Sequence, residues 1–192
     1  MANNRVKIKA IAFDFDGVIT NLDINWDEAI RMASKIAGYN VQSLLLFYDK
    51  NFGSSLFLKV SDEIEKLEIN AVKKASLTPH VEEFLQKIKN SKVDAYVVSM
   101  QSLTAIKTFL DEHNLTSFFK DIISRERCPN KKAQVEWIIK NVNIKPEQVL
   151  LIDDAKKNIT VCKEAGIQCF LFPRKKSADQ TLQAWNKILE ST

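Results

Sequence analysis

Phe13-Asp14-Phe15-Asp16-Gly17-Val18 is the stretch of this chain that decides the fold. It directly follows an apolar run from Ile8 that is typical of a buried strand. Because side chains at i and i+2 of a strand point to the same side, Asp14 and Asp16 are expected to converge at its carboxyl end. Open α/β sheets bind their ligands at such ends. Two close carboxylates repel each other unless a cation or a shared proton compensates, so the stretch indicates a magnesium site and a candidate centre for covalent phosphate chemistry.

The composition is that of an ordinary globular protein and excludes few functions by itself. The chain has 192 residues, 45% of them hydrophobic and 27% charged, which suits one domain or one domain with a small insert. The net charge is +4, but the basic residues are spread along the chain. Because there is no basic stripe with interleaved aromatic residues, we expect no nucleic-acid partner.

Cysteine usage and the N-terminal sequence indicate a cytoplasmic protein. The three cysteines, Cys128, Cys162 and Cys169, are widely spaced and form no C-x-x-C pattern. Free thiols in a reducing compartment are the simplest interpretation. The sequence shows neither a signal peptide nor a membrane span, so we predict cytoplasmic localisation and no membrane partner.

Short apolar strands alternate with amphipathic helical stretches along most of the chain. The predicted strands are Ile8–Phe13, Val93–Ser99, Asp121–Ser124, Val149–Asp153 and Gln168–Phe172. The predicted helices between and after them are Pro79–Asn90, with Thr78 as N-cap, Leu103–Asn114, Lys131–Val142, Lys156–Ala165 and about 179–189. This alternation predicts an α/β fold, a Rossmann-like parallel sheet wrapped by helices.

Residues 22–77 interrupt this alternation with a purely helical pattern. Three helices are predicted there, Trp26–Ala37, Val41–Tyr48 and Phe57–Ala75, inserted straight after the first strand. A crossover connection needs far fewer residues, so we favour a small helical cap over the site rather than one long crossover helix. The predicted division is a core domain of residues 1–21 and 78–192 and a cap of residues 22–77.

A second acidic pair follows another predicted strand. Asp153 and Asp154 end the run from Val149, and Asn158 lies four residues further on. Two acidic strand ends of one parallel sheet can bind a hard cation through oxygen ligands and leave room for a phosphate. The alternative is that this pair only caps the helix that begins near Lys156, since Asp is a favoured N-cap residue. The presence of two acidic strand ends favours the metal site.

Polar groups near two further elements are candidates for binding phosphate. Ser99 ends the second strand, and its hydroxyl can act together with the backbone N–H groups of Met100 and Gln101. Lys131 or Lys132, at the start of a helix, can neutralise phosphate charge. Each signal is weak alone, because a Ser at a strand end often caps a helix and adjacent lysines are usually solvated.

Taken together, these motifs resemble the haloacid dehalogenase superfamily of phosphohydrolases and phosphomutases. Residues 14–18 resemble its first motif, DxDG[TV], Ser99 its second, Lys131 its third and Asp153-Asp154 its acidic fourth motif. The segment 154–166 resembles the stretch that follows the fourth motif in this family. The four motifs stand in the family order, whereas residues 22–77 resemble the family's helical caps only in position and helical character.

The resemblance implies a Mg²⁺-dependent phosphatase of a small phosphorylated metabolite. Asp14 would be the nucleophile that forms an aspartyl-phosphate, and Asp16 the general acid and then the general base. Mg²⁺ would be bound by Asp14, by the backbone carbonyl of Asp16 and by Asp154, with Asp153 assisting. Ser99 and Lys131 would hold the phosphoryl oxygens, and the family spacing to Asp154 favours Lys131 over Lys132.

Other functions stay open at this point. A phosphomutase would use the same residues but return the phosphoryl group to a sugar. A catalytically silent binding or regulatory domain would keep the fold without turnover, although the intact motif residues disfavour it. A receiver-type signalling domain is disfavoured by the inserted helices and by the DxDG order. Departures from the family pattern include Asn158, where many members have an acidic residue. Substrate identity is not implied, and the protein is expected to be a monomer or a homodimer.

Overall fold

A computed structural model describes residues 6–174 and 177–190. Within these ranges the chain forms five strands and eight α-helices, with four helices between the first two strands and one α-helix after each later strand. The strands are β1 (Ala10–Phe13), β2 (Asp94–Val98), β3 (Asp121–Ile123), β4 (Val149–Asp153) and β5 (Gln168–Leu171). The helices are α1 (Trp26–Ala37), α2 (Leu44–Asn51), α3 (Ser55–Val72), α4 (Val81–Asn90), α5 (Leu103–Glu112), α6 (Lys131–Val142), α7 (Lys156–Glu164) and α8 (Ala178–Leu189).

All five strands lie parallel in one sheet in the order β3-β2-β1-β4-β5. In the central strand, Phe13 pairs with Val97 on one side and with Ile152 on the other. After β1 the chain forms β2 and β3 on one side of that strand, and then β4 and β5 on its other side. The point where the strand order reverses therefore lies at the carboxyl ends of β1 and β4, where such sheets bind ligands. The predicted Rossmann-like α/β fold is confirmed, and its topology places the acidic strand ends at one edge.

Both faces of the sheet are buried, which explains the continuous apolar strands in the sequence. Ile11 and Phe13 belong to one core with residues of α4, α5 and α8, whereas Ala10 and Ala12 face the other core with residues of α6 and α7. The Phe13 ring packs edge-to-face on Phe84 of α4, with 5.9 Å between ring centroids. These two cores hold β1 rigidly beneath the loop that carries Asp14 and Asp16.

Helices α1, α2 and α3 form a third apolar cluster of their own. In α3 the buried residues Phe57, Val60 and Ile64 recur at helical spacing and pack with Ala33 of α1 and Phe47 of α2. The helical character predicted for this part of the chain is therefore present. Its assignment as a separate cap stays a prediction.

The start of α4 differs from the sequence-based expectation. The helix begins at Val81 rather than Pro79, and its N-cap is His80 rather than Thr78. His80 has a φ of 63°, a left-handed conformation that a right-handed helix cannot include. The backbone N–H of Thr78 instead donates to the carbonyl of Ile19 at 2.9 Å, which fastens the returning chain beside the β1 loop.

None of the helices in the described ranges is long and apolar enough to cross a bilayer.

Candidate active site

Three carboxylates from the ends of two neighbouring strands converge at the edge of the sheet. Asp14 follows β1, Asp153 ends β4 and Asp154 follows it; each offers an oxygen, and the three oxygens lie within 4.8 Å of one another. Gly17 lets the β1 loop approach them closely, because it has a φ of +91° and a Cβ there would lie 2.5 Å from Cγ of Asp154. A compact set of oxygen donors of this kind fits a hard cation such as Mg²⁺.

Lys131 is the lysine that reaches this cluster. Its Nζ lies 2.7 Å from Oδ1 of Asp14, 2.6 Å from the carbonyl oxygen of Val98 and 3.5 Å from Oδ2 of Asp153. Burial lowers the pKa of Lys131, but the charges of the two aspartates outweigh it and leave the pKa raised, so the ammonium stays protonated. Lys132, by contrast, is exposed to solvent and pairs with Glu136 at 3.6 Å.

Asp14 is buried, and its carboxylate is held through one oxygen. Oδ1 accepts hydrogen bonds from Nζ of Lys131 at 2.7 Å and from the backbone N–H of Phe15 at 2.8 Å. Burial raises the pKa of Asp14 well above its usual range; Lys131 opposes this, and the charges of Asp153 and Asp154 add to it. The crowded carboxylates therefore need more positive charge than Lys131 supplies, which a bound divalent cation would provide.

Asp16 does not belong to this group of three carboxylates. Its Oδ1 accepts a hydrogen bond from the backbone N–H of Leu22 at 2.9 Å, and its Oδ2 lies 3.5 Å from Nη2 of Arg174. Burial raises the pKa of Asp16, an effect that the Leu22 N–H and the Arg174 charge oppose. A carboxyl group with a raised pKa beside the cluster can hold and deliver a proton.

The two residues of the fourth motif are fixed in different ways. The Asp153 carboxylate accepts hydrogen bonds from Nδ2 of Asn158 at 3.0 and 3.2 Å and from the backbone N–H of Ala155 at 2.8 Å. Nε of Arg174 lies 2.9 Å from Oδ2 of Asp154. The N-cap of α7 is Ala155, so the alternative in which this acidic pair serves as the helix N-cap is wrong. Asn158 thus orients Asp153 without adding charge.

The loop after β2 reaches the site through Met100 and Gln101. Both residues line the cavity above the carboxylates, whereas Ser99 is fully buried. The Ser99 hydroxyl donates to the side-chain carbonyl of Gln101, and its backbone carbonyl accepts from Nε2 of Gln134 at 2.6 Å. Of the predicted phosphate-binding residues, Met100 and Lys131 line this cavity, and Ser99 lies behind it.

A buried ion pair that the sequence did not indicate joins α3 to the sheet. Nη1 of Arg125, after β3, lies 2.5 Å from Oε1 of Glu68 and donates to the carbonyl of Met100 at 3.2 Å. Nε of Arg125 donates to Oγ of Ser61 at 2.7 Å, and Oε2 of Glu68 accepts from the backbone N–H of Ser102 at 3.0 Å. The pair therefore fastens α3 to the loop that carries Met100 and Gln101.

Arg174 is a further residue at the site. From the sequence, the segment Arg174-Lys175-Lys176 after the fifth strand could face the site and attract an anionic substrate, but a solvated loop is favoured; Lys175 and Lys176 lie outside the described residues. The position of Arg174 in the sequence could have indicated this role. Arg174 follows β5, the strand beside β4, and therefore lies at the same edge of the sheet as Asp154.

These residues surround a cavity of about 340 Å³. The sheet edge contributes Asp14, Asp16, Lys131 and Asp154, whereas α1 and α2 contribute mostly apolar side chains. The volume lies near the lower end of the range for small-molecule sites.

The chain is similar to known proteins in sequence and in fold. A model of the family described as "Haloacid dehalogenase-like hydrolase" matches residues 11–172. The "Phosphoglycolate phosphatase" of Vibrio cholerae is 25% identical over 190 residues, covering 86% of this chain and 83% of that protein. The "Phosphorylated carbohydrates phosphatase" of Thermotoga maritima is 21% identical, covering 84% and 83%. A solved haloacid dehalogenase-like hydrolase from Streptococcus pneumoniae superposes with a TM-score of 0.65 at 18% identity, covering 95% of this chain and 97% of that one.

Proposed function

Because the chain belongs to the haloacid dehalogenase-like hydrolase family, we propose that it hydrolyses phosphate monoesters of a small metabolite through an aspartyl-phosphate, with Mg²⁺ as cofactor. The family prediction made from the motifs is confirmed, and the curated relatives support a phosphatase. The single observation that carries the mechanism is the contact of Lys131 Nζ with Asp14 Oδ1 at 2.7 Å, beside two further carboxylates at the edge of one cavity.

The residues at this edge suit a magnesium ion. Asp14 and Asp154, with the backbone carbonyl of Asp16, would hold the ion, and Asp153 would assist. When bound, Mg²⁺ supplies positive charge that offsets the repulsion between the carboxylates and a phosphate dianion.

In the first step, Asp14 attacks the phosphorus atom. Its Oδ1 already accepts from Lys131 and Phe15, which leaves Oδ2 for the new bond. As the bond to the leaving oxygen breaks, Asp16 donates a proton to that oxygen and the alcohol departs. The Lys131 ammonium reduces the charge repulsion that otherwise hinders a carboxylate from approaching a phosphate.

In the second step, the carboxylate of Asp16 takes a proton from a water molecule. The water oxygen attacks phosphorus, the bond to Asp14 breaks, and inorganic phosphate is released. Residues 22–77 act in this scheme as a cap, since α1 and α2 cover the cavity and can limit the access of bulk water. A phosphomutase would differ only in this second step, in which a sugar hydroxyl rather than water would attack the phosphorus atom.

A phosphate-release assay tests the proposal. Wild type, Asp14→Asn and the exposed control Asp62→Asn would be compared on a panel of phosphorylated metabolites, with Mg²⁺ and with a chelator. We expect Mg²⁺-dependent release by wild type and control, and a loss on the order of a thousandfold or more in Asp14→Asn. Equal release by all three proteins would refute the enzymatic function. Transfer to an added sugar phosphate, with a requirement for a bisphosphate, would favour the mutase.

A further inference from the structure

The cavity above the carboxylates has one charged side, formed by the sheet edge, and one largely apolar side, formed by α1 and α2. Building on the function proposed above, we propose that the leaving group of the substrate is uncharged and largely apolar, such as a phenol or an aryl alcohol, and that it packs against α1 and α2. The preferred substrate is then the phosphate ester of such an alcohol rather than of a short hydroxy acid.

The side formed by the two helices is largely apolar and accessible, although Gln42 and Ser43, just before α2, also line the cavity. Trp26 and Ile30 of α1 and Leu44, Leu45 and Tyr48 of α2 line the cavity. Trp26 and Leu45 remain 36% and 47% exposed, so apolar surface at the site is in contact with water. Covering such surface with an apolar group is favourable, whereas placing a carboxylate there removes its hydration without compensation.

The charges of the cavity also disfavour a second anionic group. Among the described residues that line it, the acidic ones are Asp14, Asp16, Asp154 and Glu68, and the basic ones are Lys131 and Arg174. Arg125 compensates the charge of Glu68, so three acidic groups and two basic ones set the charge of the cavity. The two cations already have anionic partners, since Lys131 contacts Asp14 and Arg174 contacts Asp154. The phosphate group of the substrate would balance the charge of a bound Mg²⁺. A leaving group with its own carboxylate would therefore find no cation among these residues that lacks an anionic partner.

Tyr48 leaves the apolar side of the cavity uncharged. Its hydroxyl is buried and has no hydrogen-bond partner within the part of the chain that the structure describes. Burial also raises the pKa of Tyr48, so the phenol stays neutral and can donate or accept one hydrogen bond. Because the hydroxyl oxygen is inaccessible and neutral, Tyr48 brings no charge to the cavity, and its ring adds to the apolar lining.

Steady-state kinetics with three esters test this substrate class. Phenyl phosphate carries the apolar group, 4-carboxyphenyl phosphate adds one carboxylate, and 2-phosphoglycolate is a short acid ester. We expect kcat/KM to be highest for phenyl phosphate, although the carboxyl group makes the second phenol the better leaving group. Phosphate release above the Asp14→Asn background is the readout.

Two variants and one control locate the effect in the cavity. Trp26→Ala is expected to raise KM for phenyl phosphate roughly tenfold while leaving KM for 2-phosphoglycolate nearly unchanged. Ile30→Lys, which adds a cation, is expected to improve kcat/KM for 4-carboxyphenyl phosphate. Leu58 is an exposed residue on α3 that does not line the cavity, so Leu58→Ala serves as the control and is expected to behave like wild type. Circular dichroism would verify that each variant is folded.

The failures of the two proposals can be told apart. If wild type releases no phosphate from any ester above the Asp14→Asn background, the phosphatase function itself fails. If wild type prefers 2-phosphoglycolate, or if Trp26→Ala affects all three esters equally, the phosphatase function stands and the apolar substrate class is wrong.

Discussion

Nε of Arg174 lies 2.9 Å from Oδ2 of Asp154, one of the three carboxylates that converge at the sheet edge. The same guanidinium approaches Asp16 at 3.5 Å through Nη2. A cation supplied by the chain itself therefore contacts the residues that are predicted to bind Mg²⁺. It lowers the pKa of Asp154, which burial raises more strongly. Metal binding at Asp154 should thus compete with this ion pair.

We expect Arg174→Ala to bind Mg²⁺ more tightly than wild type. The Arg174 side chain is about half exposed, so its ion pair contributes only about 0.2–1 kcal/mol, which corresponds to a roughly 1.4- to fivefold lower Kd. Isothermal titration calorimetry measures this directly. Arg127→Ala is the matched control, since Arg127 is partly exposed and pairs with Asp121 instead. Weaker Mg²⁺ binding by Arg174→Ala would show that the arginine supports the metal site.

Gly17→Ala is expected to abolish Mg²⁺ binding and most activity. The residue has a φ of +91°, and the added Cβ would collide with the carboxylate of Asp154. Gly53→Ala provides the control, because Gly53 has a φ of +73° but no atom within 4 Å of the added Cβ. That variant should lose only about 1 kcal/mol of unfolding free energy and keep its metal affinity. Similar metal affinities in the two variants would contradict this account of Gly17.

Breaking the buried pair between Arg125 and Glu68 should strongly destabilise the protein. In Arg125→Met the buried Glu68 carboxylate loses its cation and keeps only neutral partners such as Ser102, so we expect a loss of about 3–5 kcal/mol in urea unfolding. Arg125→Met combined with Glu68→Leu removes both charges and should regain much of this loss. An unchanged unfolding midpoint in the single variant would show that the pair adds little.

The activity should pass through a maximum at mildly acidic to neutral pH. Asp14 must be ionised to attack. Lys131 lowers its pKa and a bound Mg²⁺ would lower it further, against the effect of burial, so in the Mg²⁺-loaded enzyme kcat/KM rises as the pH passes this lowered pKa. Asp16 must be protonated in the first step, so kcat/KM falls again above its pKa, which burial raises. The measurement is the pH profile of kcat/KM for wild type. A rate that keeps rising to about pH 10 would exclude Asp16 as the general acid.

Several parts of the fold and of the site could be predicted because they are local in the sequence. The strand cores, the order of the helices and the acidic ends of β1 and β4 follow from runs of a few residues. The start of α4 could not be predicted from the sequence, because the left-handed conformation of His80 depends on how the chain returns to the sheet. The pairing of Arg125 with Glu68, 57 positions apart, left no pattern in the sequence.

The sequence by itself determined the parallel α/β sheet and the convergence of Asp14 with Asp153 and Asp154, since strand alternation and adjacency to strand ends are local properties. Only the tertiary structure decided which lysine joins them. Lys131 and Lys132 are chemically equal, but the orientation of α6 brings one of them to Asp14, 117 positions away, and leaves the other in solvent. Likewise, Arg174 reaches Asp154 because β5 lies beside β4. Long-range packing sets such contacts, and no short stretch of sequence encodes them.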